Sequence, residues 1–431
     1  MKVQKSNQLS AFGGMNYVLN HLDKLQIEPI INQHLPELSA QSKYSWKDIF
    51  NSLYSLYLCG GDAIEDLGTH LKCHFVNNPF VKIPSPDTVL TRMKQLAQPM
   101  QTCMTKRGKV NHNYSTNTVL DNLNISLLNK LGVFNADELT LDYDNTIIFS
   151  EKQDCKMTYK RQKGYQPGVC TINEKHILYI ENRGGNSDAK SYQDSTLQRV
   201  FSLLETNNCA RIDNFRADAA SYQYDVIKLV EANVNSFFIG CKNSYVEKNY
   251  SKITSWEPMT DSTGEEMEVG EIEIIPFERP AKNDNKVSKS YRLIVKRKKN
   301  KTGQINIITN DDYDYRSILT NNKNLSSVES AQFYNQRGNM EKQFDILKND
   351  FGWNNMPFSQ MNQNTVFLYF TAMFRNIYNN IIQYFSQKVE GLKPNFRLKK
   401  FLFRFIILPA KWIKRSRQIQ LRIYGNIPIK T

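Results

Sequence analysis

Residues 139–149 read Leu-Thr-Leu-Asp-Tyr-Asp-Asn-Thr-Ile-Ile-Phe, and this stretch decides the fold class. Its β-branched and apolar residues predict a strand. A strand sends alternate side chains to one face, so Asp142 and Asp144 project together. Two carboxylates on one strand face suit metal or phosphate chemistry, and either can be the ligand.

Outward from this strand the pattern alternates. Residues 169–172 and 176–180 predict a hairpin turning at Asn173-Glu174, and 191–204 a helix. Residues 210–217 predict a strand closed by Asp218, 222–232 a helix, and 236–240 another strand. Three strands, a helix, a strand, a helix and a strand is the order of a ribonuclease H-like core: an α/β fold with a mixed sheet flanked by helices. Asp218 then lies at a strand end, where α/β folds place their chemistry; Asp213 reads as a local hydrogen-bonding residue.

The flanks differ in kind. Residues 1–115 predict short helices broken at Gly13-Gly14 and Gly60-Gly61. Ser85-Pro86-Asp87 starts a helix over 88–96; its Arg92 makes it a candidate DNA-reading helix, with an ordinary surface helix as the competing reading. Residues 245–315 predict a β-rich insertion with strands at 269–275, 291–298 and 304–309. Lys296, Arg297 and Lys298 are expected at the tip of its last hairpin, as a phosphate contact or a solvated tip. The regions expected are 1–115 (helical, DNA-binding), 116–240 (core, first part), 241–318 (β-rich insertion), 319–360 (last core helix) and 361–431 (basic, helical).

The formal net charge is +14 over 431 residues, which favours an anionic partner, nucleic acid first. After Glu390 the chain carries eleven Lys or Arg and no Asp or Glu. Aromatic residues interleave them, Phe396, Phe401, Phe403, Phe405, Trp412 and Tyr424 among them, a pattern that favours nucleic acid over a solvated face. Seven scattered cysteines without a Cys-x-x-Cys pair predict a reducing cytoplasm and no zinc ribbon. The group His70, Cys73 and His74 lacks a fourth ligand. No segment is apolar enough for a signal core or a membrane span.

The stretch 326–351 is predicted to be one helix, opened by a Ser326/Glu329 capping box. At about 100° per residue, Tyr334, Arg337, Glu341 and Lys348 fall within an arc of roughly 60°. Phe333, Met340, Phe344, Leu347 and Phe351 form an apolar stripe beside it. A Glu flanked by Tyr, Arg and Lys suits an acidic metal ligand beside phosphate-binding groups. A surface helix with an Arg337–Glu341 ion pair at i,i+4 is the competing reading.

Tyr334, Arg337, Glu341 and Lys348 keep every spacing of the Y-(2)-R-(3)-E-(6)-K signature, so the chain resembles the IS-four-like group of DDE transposases. Gly164-Tyr-Gln-Pro167, Asn182-Arg-Gly-Gly-Asn186 and Arg216-Ala-Asp218 resemble the insertion-sequence 1380 branch. The resemblance covers residues 137–355. It implies an RNase H-like core with a β insertion before the last catalytic helix, and Asp144, within Asp-x-Thr, as the first ligand; Asp142 is held in reserve. It implies that Asp144, Asp218 and Glu341 bind two Mg²⁺ ions, with Mn²⁺ as a substitute, for cutting and joining DNA. It further implies a homodimer on the terminal inverted repeats, target DNA as second substrate, and a bacterial, nucleoid-associated location. Tyr334, Arg337 and Lys348 would contact end phosphates, and Trp256 is a candidate stacking partner for a displaced base.

Three rivals remain at this stage. Asp142 and Asp144 also match the Asp-x-Asp-x-Thr motif of haloacid dehalogenase-like phosphatases, with Asp142 as nucleophile. A DNA-binding protein derived from an inactive transposase and a nuclease without joining activity are the others.

Overall fold

The computed structural model describes residues 9–104, 111–242, 244–261, 263–300, 305, 306, 308–415 and 418–425. Helices α1 (Met15–Lys24), α2 (Ile27–His34), α3 (Trp46–Leu58) and α4 (Pro86–Gln95) come first. α3 and α4 begin at the side-chain caps Ser45 and Ser85, the latter followed by Pro86 at the first helical position. Strands β1 (Gln101–Met104) and β2 (Asn111–Ser115) and helix α5 (Thr118–Lys130) lead into the core.

The core begins with β3 (Thr140–Asn145), then a small sheet of β4 (Ile148–Phe149), β5 (Lys156–Met157) and β6 (Lys163–Tyr165). β7 (Gly168–Ile172), β8 (His176–Arg183), α6 (Gln193–Thr206), β9 (Asn214–Ala217), α7 (Tyr224–Asn233) and β10 (Ser236–Cys241) follow. Across the sheet the order is β8-β7-β3-β9-β10, with β7 antiparallel to β3 and β9 parallel to both β3 and β10. The chain is thus a mixed α/β protein built on a large mixed sheet. The β7–β8 turn uses Asn173 and Glu174 at φ 48° and 65°; Asn173 tolerates that region, and its side chain accepts from Thr140 N at 2.7 Å.

The single strand expected over 139–149 is two. β3 stops at Asn145, and Ile148–Phe149 pairs with β6 in the small sheet. Asp144 therefore lies at the end of β3, not in its middle.

Past β10 come α8 (Ser244–Glu247), β11 (Glu257–Thr260), β12 (Glu266–Ile274), α9 (Glu278–Asn283), β13 (Tyr291–Lys299) and β14 (Tyr313–Thr320). β14 pairs antiparallel with β10, so β14-β13-β12-β11 extends the core sheet on one side while β1-β2 extends it beyond β8, giving eleven strands among the described residues. The strand expected at 304–309 falls partly on 304 and 307, outside the described residues. Asn306 makes only an isolated bridge to Asp311, and the strand begins at Tyr313. Lys296, Arg297 and Lys298 are not at a hairpin tip: β13 lies between β12 and β14, and Lys296 faces Val269 on one side and Arg316 on the other.

α10 (Ser327–Asn335), a 3-10 turn (Gln336–Gly338) and α11 (Asn339–Asp350) replace the one helix expected over 326–351. The capping box is formed: Glu329 N donates to Ser326 Oγ, and Ser326 N to Glu329 Oε2. The break has a packing cause. Ala331 and Phe333 of α10 pack with Phe238, Ile294 and Ile318 of the sheet. Met340, Phe344 and Leu347 of α11 join a separate core shared with α1, α3 and α12 (Met361–Lys388). A straight helix cannot serve both.

α12 is buried nearly all round along its middle, at the centre of the helical part, and takes polar side chains such as Asn364, Arg375 and Asn376 inside with it. Beyond it lie α13 (Leu398–Phe401) and the hairpin of β15 (Ala410–Arg415) and β16 (Gln418–Ile423). This corrects the expectation of an all-helical basic tail. Phe401 and Phe405 are buried in the core and serve packing; Phe403 and Tyr424 are exposed. Among the described residues, no helix is long and apolar enough to cross a membrane.

Candidate active site

β3 and β9 run parallel in register Asp142↔Arg216 and Tyr143↔Ala217. The next step on each strand carries Asp144 and Asp218, so the two acids end neighbouring strands. Asp144 Oδ1 accepts from Asn145 N at 2.8 Å, and Asp218 Oδ1 from Ala220 N at 3.0 Å. Burial and the charge of Asp218 push the Asp144 carboxyl up to about 6, against the opposing pull of Arg337.

The α10–α11 seam faces this strand end. Tyr334 reaches across to donate to Ala217 O at 3.3 Å. It can do so because β10 has Gly240 there: a Cβ at that position would lie 2.4 Å from the Tyr334 hydroxyl. Arg337, on the 3-10 turn, places Nη1 3.1 Å from Asp144 Oδ2 and Nη2 3.6 Å from Glu341 Oε1. Glu341 itself is 74% exposed, whereas Asp144 is 16% exposed. The i,i+4 ion pair of the competing reading exists, but Arg337's shorter contact is to the sheet. Lys348 is half-buried two turns farther along α11; burial and Lys160 pull its pKa down.

Among the described residues, no three His, Cys, Asp or Glu side chains converge as a closed ligand set. The donors nonetheless suit a divalent cation. They are hard oxygens, each Asp144 oxygen keeps a lone pair beyond its one hydrogen bond, and the repulsion between Asp144 and Asp218 favours a cation between them.

The remaining sequence candidates are placed otherwise. Asp142 is fully buried, with Oδ1 and Oδ2 taken by Arg216 Nε at 2.7 Å and Nη2 at 2.9 Å. A carboxylate so engaged is not poised to attack phosphorus, which removes both the reserve ligand and the phosphatase reading. Trp256 is corrected as a base-stacking platform: the Arg297 guanidinium covers its ring at 3.9 Å, with Tyr313 at 4.4 Å from the same group. Arg297 also pairs with Glu268, and Lys298 with Glu265. Lys296 is buried, donates to Asn335 Oδ1, and is pulled down to about 8 by desolvation and Arg316. Arg92 is tied to Ser42 and Gln95. Asp213 accepts from Leu139 N and Asn235 Nδ2, the local role expected. His74 Nδ1 accepts from Ala11 N.

Sequence reasoning missed Glu174, Arg216 and Gly240. The available signal for Arg216 was a charge set between the apolar Phe215 and Ala217, two residues before Asp218.

Acidic groups at the ends of two adjacent parallel strands are thus faced by a 3-10 turn that brings Arg337 and by the first turn of α11, which carries Glu341. The chain belongs to the transposase family described as transposase DDE domain, group 1, whose model matches residues 4–431. No curated protein matches the chain. Among solved structures, a piggyBac transposase in a synaptic complex with hairpin DNA is similar at a TM-score of 0.43 and 11% identity. That match covers 92% of this chain and 80% of the other.

Proposed function

We propose that this transposase, of the insertion-sequence 1380 type, binds the terminal inverted repeats of its element, cleaves DNA at their ends and joins the 3′ ends to target DNA. The observation that carries the reading is the meeting of Asp144 and Asp218 at the ends of two neighbouring central strands, with Arg337 bridging Asp144 to Glu341. The strand order of the core supports an RNase H-like assignment. Asp144, Asp218 and Glu341 would hold two Mg²⁺, or Mn²⁺, which when bound activate the attacking water or 3′-hydroxyl and stabilise the leaving oxygen of an in-line displacement. Arg337 orients the scissile phosphate with its planar fork, and Lys348 neutralises a neighbouring phosphate as a point charge. Tyr334 fixes the seam against β9. The two ends are held by a homodimer.

The test is a nicking assay on duplexes carrying the inverted repeats that flank the reading frame. Glu341→Gln should lose Mg²⁺-dependent nicking by at least ~100-fold while retaining salt-sensitive binding in a gel shift. Nicking by that variant at the wild-type rate would sink the three-carboxylate mechanism. Joining of pre-cut 3′ ends separates a transposase from a nuclease.

A further inference from the structure

Arg216 does more than neutralise Asp142. Its side chain is 1% exposed, and its donors reach four elements at once. Nε and Nη2 hold Asp142 on β3, Nη2 also holds Glu174 Oε1 in the β7–β8 turn at 2.9 Å, and Nη1 donates to Phe333 O at 2.8 Å and Gln336 Oε1 at 3.1 Å. The guanidinium lies over the Phe333 ring at 4.7 Å. The other oxygen of Glu174 accepts from Asn339 Nδ2, at the start of α11.

These contacts fall on the seam where α10 ends and α11 begins. The two helices are anchored in different apolar cores, so neither core by itself sets the angle between them. Arg337 and Glu341 lie on and just after that seam. We infer that Arg216 is a positioning residue: with Glu174 it locks the α10–α11 seam to β3 and β9, and so sets Arg337 and Glu341 against Asp144 and Asp218. The inference rests on the three-carboxylate reading. Arginine is required because five donors in one rigid plane serve these acceptors together, which a lysine ammonium cannot do.

The test uses the full chain, with Arg216→Lys and the double variant Asp142→Asn/Arg216→Gln. The double variant removes both buried charges together, which limits the cost to folding. Three readouts run side by side: thermal unfolding, amide hydrogen exchange, and nicking of inverted-repeat duplexes at saturating Mn²⁺. Both variants should unfold cooperatively and shift duplexes with unchanged affinity. Both should exchange faster over residues 333–341 and not in α12, and nick ~10–100-fold more slowly. Unchanged exchange over 333–341, or a wild-type nicking rate in a folded variant, overturns the positioning role. Recovery of the rate in the double variant also overturns it, because the charge pair would then have mattered only for stability. Failure of the underlying reading shows separately, as wild-type nicking by Glu341→Gln.

Discussion

Arg337 Nη1 lies 3.1 Å from Asp144 Oδ2, joining side chains 193 residues apart in sequence. The contact puts a fixed positive charge beside a carboxylate that its surroundings make hard to ionise. Asp144 is raised to about 6 in the fold, above its unfolded range near ~4. A raised carboxyl contributes stability that is complete below the unfolded value and is lost as pH rises through the folded one. Removing Arg337 takes away a group that lowers this pKa. In Arg337→Ala the loss of stability with rising pH, followed by thermal unfolding from pH 4 to 8 without metal, should therefore extend to higher pH. End nicking should fall by ~10–100-fold and its acid limb move upward. An unchanged pH profile would return Arg337 to the role of a partner for Glu341 alone.

Gly240 and Tyr334 give a steric test of the same site. A Cβ on Gly240 would meet the Tyr334 hydroxyl at 2.4 Å. Gly240→Ala should cost about 1–3 kcal/mol by overpacking and lower nicking, because Tyr334 must leave Ala217 O. Tyr334→Phe removes the clashing oxygen, so the double variant should regain part of the stability lost by Gly240→Ala. A double-mutant cycle by denaturant unfolding reads the coupling; strict additivity would mean that the two groups do not meet.

Asp121 makes a pH prediction away from the site. It is 4% exposed, accepts from the Tyr369 hydroxyl, and is pushed up to about 7 by burial. Its folded pKa exceeds its unfolded one, so its contribution is complete below pH ~4 and lost as pH rises through about 7. Asp121→Asn keeps an acceptor for Tyr369 and cannot ionise. The variant should match the wild type near pH 4 and be more stable at pH 8, by a gain on the order of 4 kcal/mol at most. A deficit at pH 8 would show that Asp121 is held ionised.

The candidates Asp144, Asp218, Arg337 and Glu341 can be named from the sequence because two local signals carry them. Period-two alternation finds the strands, and the spacing 334–337–341–348 depends only on helical geometry. The order of core strands and helices is likewise local information. Periodicity could not show that α10 and α11 are separate helices, because an apolar stripe looks the same whether it meets one core or two. Nor could it distinguish Asp142 from Asp144 by residue type: both face the same way on β3, and only the arrival of Arg216 from β9 makes one structural and leaves the other at the edge. The basic run at Lys296 and the aromatic residues at Phe401 and Phe405 read as surface, and burial overruled them. The sequence by itself determined the order of the core strands and helices and put Asp218 at a strand end, while the end of β3 beside Asp144 and the α10–α11 break came only with the fold. Tertiary structure alone decided which charges are spent on one another, because a buried ion pair forms only when strands distant in the chain lie side by side and exclude water.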